Sequence, residues 1–417
     1  MIGKLTPAVL DAQYANSFGR IAGYLPKDRR AVDAWLADLA GQAQDRKEEL
    51  SPAVAALKQL IATDKAIEPL VSGMLGQLPR QLQPVRGIDH LLVCVDQVIT
   101  TAPEFKANPD ERILFPLSAL FAPFTMTQVS AGLFRLPAFN TALQNVLKAW
   151  CAFLDSPQSR NVLTEASNGW LSAKASEQNK LDEYEIPDRT AEHWGFASFN
   201  DYFHRRFKAG ARPVAADPRA VVASVEGTVV RIEHNVGAGQ GLPLKGQSFA
   251  LADVLNHGPY TEQFTGGHVI HTVLSATGYH RWHAPVDGVV RRVETVPCQV
   301  FSVAETTGVL PTAQQPSPSA EAAASTRGLI YIESTTPDIG MVCVVPIGNS
   351  EMSSVTITVR EGQYVSKGDE LGYFSYGGST HALVFQRGNN PLFDAAGRGK
   401  LDEGKVAALN TPVAWGS

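Results

Sequence analysis

Three short segments of this 417-residue chain carry side chains that could do covalent chemistry. Gly377-Gly378-Ser379-Thr380 sets a hydroxyl behind two glycines, and Tyr279-His280-Arg281-Trp282-His283-Ala284-Pro285 sets two imidazoles three residues apart. Ala223-Ser224-Val225-Glu226-Gly227 places a carboxylate in a turn. A serine hydroxyl is a weak nucleophile until a base removes its proton, and a base works best when a carboxylate fixes its tautomer. Imidazole titrates near working pH, so histidine can give or take a proton. Taken singly, the segments read as a strand-connecting turn, a pair of satisfied histidines and an acidic turn.

The elements that must position these residues fall into two halves. Residues 1 to about 155 read as helical. Val32, Trp35, Leu36 and Leu39 recur at helical spacing, Ser51-Pro52 starts a helix with buried face Val54, Leu57 and Ile61, and Phe139, Leu143, Val146, Leu147, Trp150 and Leu154 form one stripe. These stripes are read as core. A polar, Ser-rich stretch from 156 to about 190 forms a linker, and a short helix is expected over Phe199 to Phe207. From there to 417 the pattern is short β-runs such as HVIHTVL, GVVRRVETV, MVCVVPI, ELGYF and HALVF, with turns at Glu226-Gly227 and Asp287-Gly288. The expected fold class is α+β, an all-helical N-terminal domain followed by a β-rich, barrel-sandwich-like domain. Residues 305–327, rich in Pro, Ser and Ala, read as a mobile surface loop, or as a lid if they border the site.

The net charge of −5, without clustered Lys and Arg, argues against a nucleic-acid partner. No uncharged apolar run is long enough to span a bilayer; Ile113 to Ala131, broken by Pro116 and Pro123, reads as a buried helix pair. Cys94, Cys151, Cys298 and Cys343 lack CxxC spacing and read as buried thiols of a reducing compartment, so a cytoplasmic protein is expected. His268, His271, His280 and His283 lack an acidic or cysteine partner that would complete a metal-ligand set, and no metal is expected.

Together the three segments resemble the phosphatidylserine decarboxylase family, from about Trp194 to Arg387. The likeness also takes in Phe199-Asn200-Asp201-Tyr202-Phe203, Lys245-Gly246 before Ser248-Phe249, and KGDELGYFSYGGST. The helical half is similar to the domain that precedes this unit in a soluble branch akin to fungal L-tryptophan decarboxylases, on segments such as Trp35-Leu36 and Gly169-Trp170. The resemblance implies a cofactor made from the chain itself. Ser379 Oγ attacks the Gly378 carbonyl, the resulting ester eliminates, and the dehydroalanine left at 379 hydrolyses to a pyruvoyl group and ammonia. Glycine at 377 and 378 suits the strained approach. The light fragment would hold 417 − 378 = 39 residues and stay associated with the heavy one. By the same carry-over, His283 is the base for Ser379, Glu226 is the carboxylate that orients it where the family has Asp, and Asp287 is the fallback. His280 serves decarboxylation, positioning the substrate carboxylate or protonating Cα. The implied reaction forms a Schiff base with a small-molecule amino acid, aromatic and tryptophan first, and releases carbon dioxide. Two alternatives stay open: a phosphatidylserine decarboxylase, and a non-catalytic barrel-sandwich binding protein with an intact chain. Glu361 to Asp369 also resembles the second hairpin of biotinyl and lipoyl carriers, read as shared hairpin architecture. A homo-oligomer is compatible with all of these.

Overall fold

The computed structural model describes most of the chain between 29 and 416; residues 1–25, 27–28, 46–48, 79–82, 126, 128, 240, 245–246, 298–299, 301–325, 349–353, 377–379, 389–400 and 417 lie outside the described residues. The cleavage-site pair Gly378-Ser379, the Lys245-Gly246 segment, Cys298 and nearly all of the 305–327 loop therefore fall outside them. The chain divides into two compact units, one built chiefly from residues 1–175 and one from residues 176–298 and 317–417.

The first unit is helical: α1 (Arg29–Asp45), α2 (Pro52–Thr63), α3 (Ile67–Gln77), α4 (Ile88–Ile99), α5 (Pro116–Thr125), α6 (Ser130–Arg135) and α7 (Pro137–Leu154). The apolar stripes do what their spacing predicts: Val54, Leu57 and Ile61 of α2 and Phe139 through Leu154 of α7 are buried. Asp96, fully buried on α4, accepts the Ser51 N–H at 2.8 Å, so a buried carboxylate caps the chain entering α2. Pro116 opens α5, among the described residues the one helix within the stretch read as a helix pair over 113–131, and α6 starts only at its end. Trp35 and Trp150 also line a cleft of about 390 Å³. Cys94 and Cys343 are buried and Cys151 is only half-buried; all three are free thiols.

The second unit opens with α8 (Phe199–Phe203), capped by Ser198 Oγ accepting the Asp201 N–H at 3.0 Å. This helix is shorter than its sequence suggests. Residues 206–208 are drawn out by pairing with 183–185: Glu185 N–H donates to Arg206 O at 2.8 Å and Lys208 N–H to Glu183 O at 2.9 Å.

The strands that follow are β1 (Ala220–Val222), β2 (Gly227–Val236), β3 (Gly241–Leu244), β4 (Gln247–Ala250), β5 (Gly267–Val273), β6 (Arg281–His283), β7 (Gly288–Val296) and β8 (Arg327–Ser334). After them come β9 (Met341–Ile347), β10 (Val355–Ile357), β11 (Tyr364–Val365), β12 (Glu370–Phe374), β13 (Thr380–Phe385), β14 (Val406–Ala407) and β15 (Pro412–Trp415). An eight-stranded antiparallel sheet, ordered β11-β7-β8-β9-β13-β5-β2-β14, curls into a half-barrel, with a three-stranded sheet β10-β12-β6 and pairs β1-β15 and β3-β4.

The central strands β8, β9 and β13 are almost continuously apolar because both sheet faces are covered. Ile330, Val344 and Leu383 pack with Trp282 and Phe374 of the small sheet, while Leu329, Val345 and Val384 pack under the short helices α9 (Leu251–Val254) and α10 (Thr261–Phe264). The α+β fold read from the sequence holds, with a half-barrel as its β part. The carrier-like stretch is not a hairpin: β11 pairs with β7 and β12 with β10 and β6, so Ser366 to Asp369 link two different sheets.

Candidate active site

Strand β6 carries His283, with His280 immediately before its first residue, and is fixed from several sides. Its backbone pairs with β12, Glu370 opposite His283 and Tyr373 opposite Arg281. Between the histidines, the buried Arg281 donates from Nη1 to Glu370 Oε1 at 2.5 Å and from Nε to the His204 carbonyl at 2.6 Å. His283 N–H donates to the Ser224 carbonyl at 2.8 Å, joining the histidine segment to the acidic turn. That turn sits tightly. A Cβ on Gly227 would lie 2.5 Å from the Val273 carbonyl, so only glycine lets β2 run this close to β5.

His283 is half-buried and held at both nitrogens. Nδ1 lies 2.7 Å from the Gly368 carbonyl, which can only accept, so Nδ1 carries the proton. Nε2 then accepts from the Tyr279 hydroxyl at 2.8 Å, a phenol that burial pushes well above its ordinary pKa and keeps protonated. Burial also lowers the His283 pKa, so the ring is a neutral base with its lone pair on Nε2. Gly368 has φ of +90°, the left-handed region that favours glycine, and this aims its carbonyl at the ring.

Glu226 does not reach His283 in this structure. Its carboxylate is forked by Arg212, with Nη2 to Oε1 at 2.8 Å and Nε bonded to Oε2, while Arg212 Nη2 also bonds Glu183 at 2.7 Å. These bonds, first the one to Glu226, hold the guanidinium above its ordinary pKa. The link to the base is indirect. Arg212 lies 4.1 Å over the Phe207 ring, Phe207 stacks on Tyr279 at 4.3 Å, and Tyr279 bonds His283. The fallback, Asp287, accepts the Lys367 N–H at 2.8 Å, the work of a turn residue.

His280 is wholly buried. Nδ1 is 3.2 Å from the Gly278 carbonyl, so its proton is there, and Nε2 has no hydrogen-bond partner among the described residues. The ring stacks on Phe203 at 4.0 Å, and burial, then the nearby Arg205 cation, pushes its pKa down to about 3. Phe203 and Phe199 meet the Tyr376 ring edge-on at 5.1 and 5.2 Å, and Tyr376 N–H donates to Asn200 Oδ1 at 2.8 Å. The Phe-Asn-Asp-Tyr-Phe motif thus ties His280 to Tyr376, one residue before Gly377. On the other side of residues 377–379, Thr380 starts β13, fully buried, its Oγ1 without a partner among the described residues.

Sequence reasoning passed over Tyr279, Arg212, Gly368 and Ser224's bond to His381. Tyr279 stood inside the quoted Tyr-His-Arg-Trp-His segment, and Arg212 is followed by Pro213 in a turn. The role of the Gly368 carbonyl has no side-chain signal at all. Among the described residues no group of three or more His, Cys, Asp or Glu is arranged to hold a metal.

Two family models, both described as phosphatidylserine decarboxylase, match residues 199–405 and 51–179. Decarboxylase iboD of Amanita muscaria is 34% identical over 319 residues, covering 70% of this chain and 91% of that protein. L-tryptophan decarboxylase of Psilocybe cyanescens is 32% identical over 300 residues, 65% of this chain and 68% of its own. A phosphatidylserine decarboxylase proenzyme of Fusobacterium nucleatum is 27% identical over 199 residues, 46% of this chain and 61% of its own. With a buried His280 and a half-buried His283 flanking Arg281-Trp282 in such a unit, the protein is a decarboxylase, a carboxy-lyase. The chain belongs to the phosphatidylserine decarboxylase family.

The buried histidines carry a consequence for stability. His280 and His381 both have pKa values pushed down to about 3, against about 6.5 in an unfolded chain. The unfolded state therefore binds protons that the folded state refuses, and stability present above pH 6.5 is lost as pH falls from about 6.5 toward 3. Each histidine contributes about 1.4 kcal/mol per pH unit in that window. Domains are held folded by roughly 5–15 kcal/mol, and at the low end of that range the two bring the β-rich unit to acid unfolding near pH 4 to 5. A pH titration of tryptophan fluorescence, with circular dichroism, checks this; a unit still folded at pH 3 would contradict it.

Proposed function

We propose that this protein is a self-processing, pyruvoyl-dependent decarboxylase of a free aromatic L-amino acid, tryptophan first. The observation that carries the reading is the neutral His283 base, with its Nε2 lone pair set by the Gly368 carbonyl, in a family unit that also has Gly378-Ser379. Maturation needs only the chain. Nε2 of His283 takes the Ser379 proton as Oγ bonds to the Gly378 carbonyl carbon, and passes it to the Ser379 nitrogen as the peptide C–N bond breaks. Loss of the Ser379 Cα proton then expels the Gly378 carboxylate, and water converts the dehydroalanine to the pyruvoyl group and ammonia.

The residues around this position fit such a group. His280 Nε2 and Thr380 Oγ1 are buried polar atoms without partners among the described residues, and each would otherwise cost free energy. When present, the pyruvoyl carbonyl supplies the electron sink for the charge left on Cα as carbon dioxide departs. His280 accepts and returns a proton at Nε2, and the Phe203 ring stacked on it keeps water away.

The 39-residue light fragment would remain bound. Of its strands, β13 lies between β5 and β9, with six register pairs on each side, β14 pairs with β2 and β15 with β1. A free amino acid is supported by the relatives named as L-tryptophan decarboxylases. Among the described residues no helix is long and apolar enough to cross a membrane. Phosphatidylserine is the second reading, favoured by the proenzymes of that name among the relatives.

Intact mass under denaturing conditions tests the cofactor. Wild type is expected as two fragments meeting at 378/379, the light one starting with a blocked pyruvoyl group, and Ser379→Ala as one chain without activity. Carbon dioxide release from tryptophan, tyrosine, phenylalanine and phosphatidylserine then assigns the substrate. A single unmodified wild-type chain would overturn the proposal.

A further inference from the structure

His381 lies two residues beyond Ser379, on strand β13, and was not among the residues read as functional. Its Nε2 is 3.0 Å from Ser224 Oγ, and both residues are 2% exposed. Ser224 also accepts the His283 N–H on its carbonyl at 2.8 Å. One residue therefore links the start of β13 to the proposed base, through one side-chain and one backbone hydrogen bond. The void that Ser224 and His381 both line measures about 10 Å³, the lower limit for a single water, so the link depends on the direct bond.

Beside its ladder to β5 and β9, which begins at Thr380, the start of β13 has in the uncut chain a covalent connection to β12, whose Glu370 pairs with His283. Cutting at 378/379 removes that restraint, and a strand end without it frays. We infer that the Ser224–His381 bond is the tether that keeps the new light-chain terminus in register with β6 after the cut, which makes His381 a positioning residue for turnover. The inference rests on the proposed cleavage. His381 itself stays uncharged, since burial and then His271 push its pKa down to about 3, so it moves no proton.

The experiment compares Ser224→Ala, His381→Leu and His381→Gln in the cut protein and in the Ser379→Ala background that stays whole. Hydrogen–deuterium exchange at Thr380, His381 and Ala382 reads the fraying directly, without reference to activity. Exchange there is expected to quicken about tenfold in cut Ser224→Ala and His381→Leu, and to change less than twofold in the uncut background. In the cut variants kcat with tryptophan is expected to fall about tenfold or more with KM within twofold, because a displacement of about 1 Å at a reacting group can cost 10²-fold. His381→Gln keeps an amide that can bond the Ser224 hydroxyl, should still fold, and is expected to recover most of both effects.

Equal acceleration in cut and uncut protein would make the bond merely structural and overturn the inference. So would unchanged exchange in cut Ser224→Ala. An uncut wild type, read from its mass, would overturn the cleavage reading and the tether with it; a cut wild type with unaffected variants would overturn the tether alone.

Discussion

Alanine in place of His283 is expected to leave the protein as one 417-residue polypeptide over the time in which wild type separates into fragments of 378 and 39 residues. The geometry is that of a poised base. The Gly368 carbonyl at 2.7 Å obliges Nδ1 to hold the proton, and burial keeps the ring neutral, so Nε2 offers a lone pair. General base catalysis contributes typically 10²–10⁴-fold, and cleavage is expected to slow by roughly 10³-fold. Tyr279 makes the control. Its hydroxyl occupies Nε2 at 2.8 Å, and Tyr279→Phe removes that bond while leaving the Gly368 contact in place. Cleavage in that variant is expected within about tenfold of wild type, since the base survives. A time course of denaturing mass spectra distinguishes them; His283→Ala cleaving at the wild-type rate would place the base elsewhere.

Much of this arrangement was legible in the sequence where the signal is local. Period-3.6 stripes marked α2 and α7, and apolar runs such as MVCVVPI and HALVF marked β9 and β13, because burial acts on each segment separately. The motifs that named the family were contiguous too. What failed to show was pairing across distance. Residues 206–208 read as helix but extend, because residues 183–185 offer a better partner for their backbone. Val406–Ala407 and Pro412–Trp415 are too short for a periodic signal and exist as strands only because β2 and β1 present free edges. The same limit governed the site. A carboxylate in the family's position suggested that Glu226 orients His283, but composition cannot reveal that Arg212, fourteen residues earlier in the chain, claims both its oxygens. The atom that does orient the ring is a backbone carbonyl, and every residue has one.

Replacing His280 by asparagine is expected to give the opposite phenotype to the His283 variant: normal cleavage with turnover lower by roughly 10³-fold. The two histidines stand three residues apart but do not share an environment. His280 is wholly buried, bonded at Nδ1 to the Gly278 carbonyl, stacked on Phe203 and close to the Arg205 cation. It rests neutral, with no partner at Nε2 among the described residues, so it cannot begin as the acid that protonates Cα. The proton must first be collected, and the substrate supplies one. An amino acid arrives as an ammonium ion and has to lose a proton before its nitrogen can attack a carbonyl. In the proposed cycle Nε2 would relay a proton freed at that step to Cα after carbon dioxide has left, so the imidazole would end neutral, as it began. A cation lodged beside Arg205 is unstable, which favours prompt delivery. Because the ring titrates near pH 3 rather than 6.5, kcat/KM is not expected to fall around pH 6.5 on account of His280. Parallel assays of fragment formation and carbon dioxide release in His280→Asn, each across pH 5.5 to 8, measure both points. Full turnover without His280, or a wild-type acid limb centred on pH 6.5 that disappears in His280→Asn, would remove this histidine from the proton path.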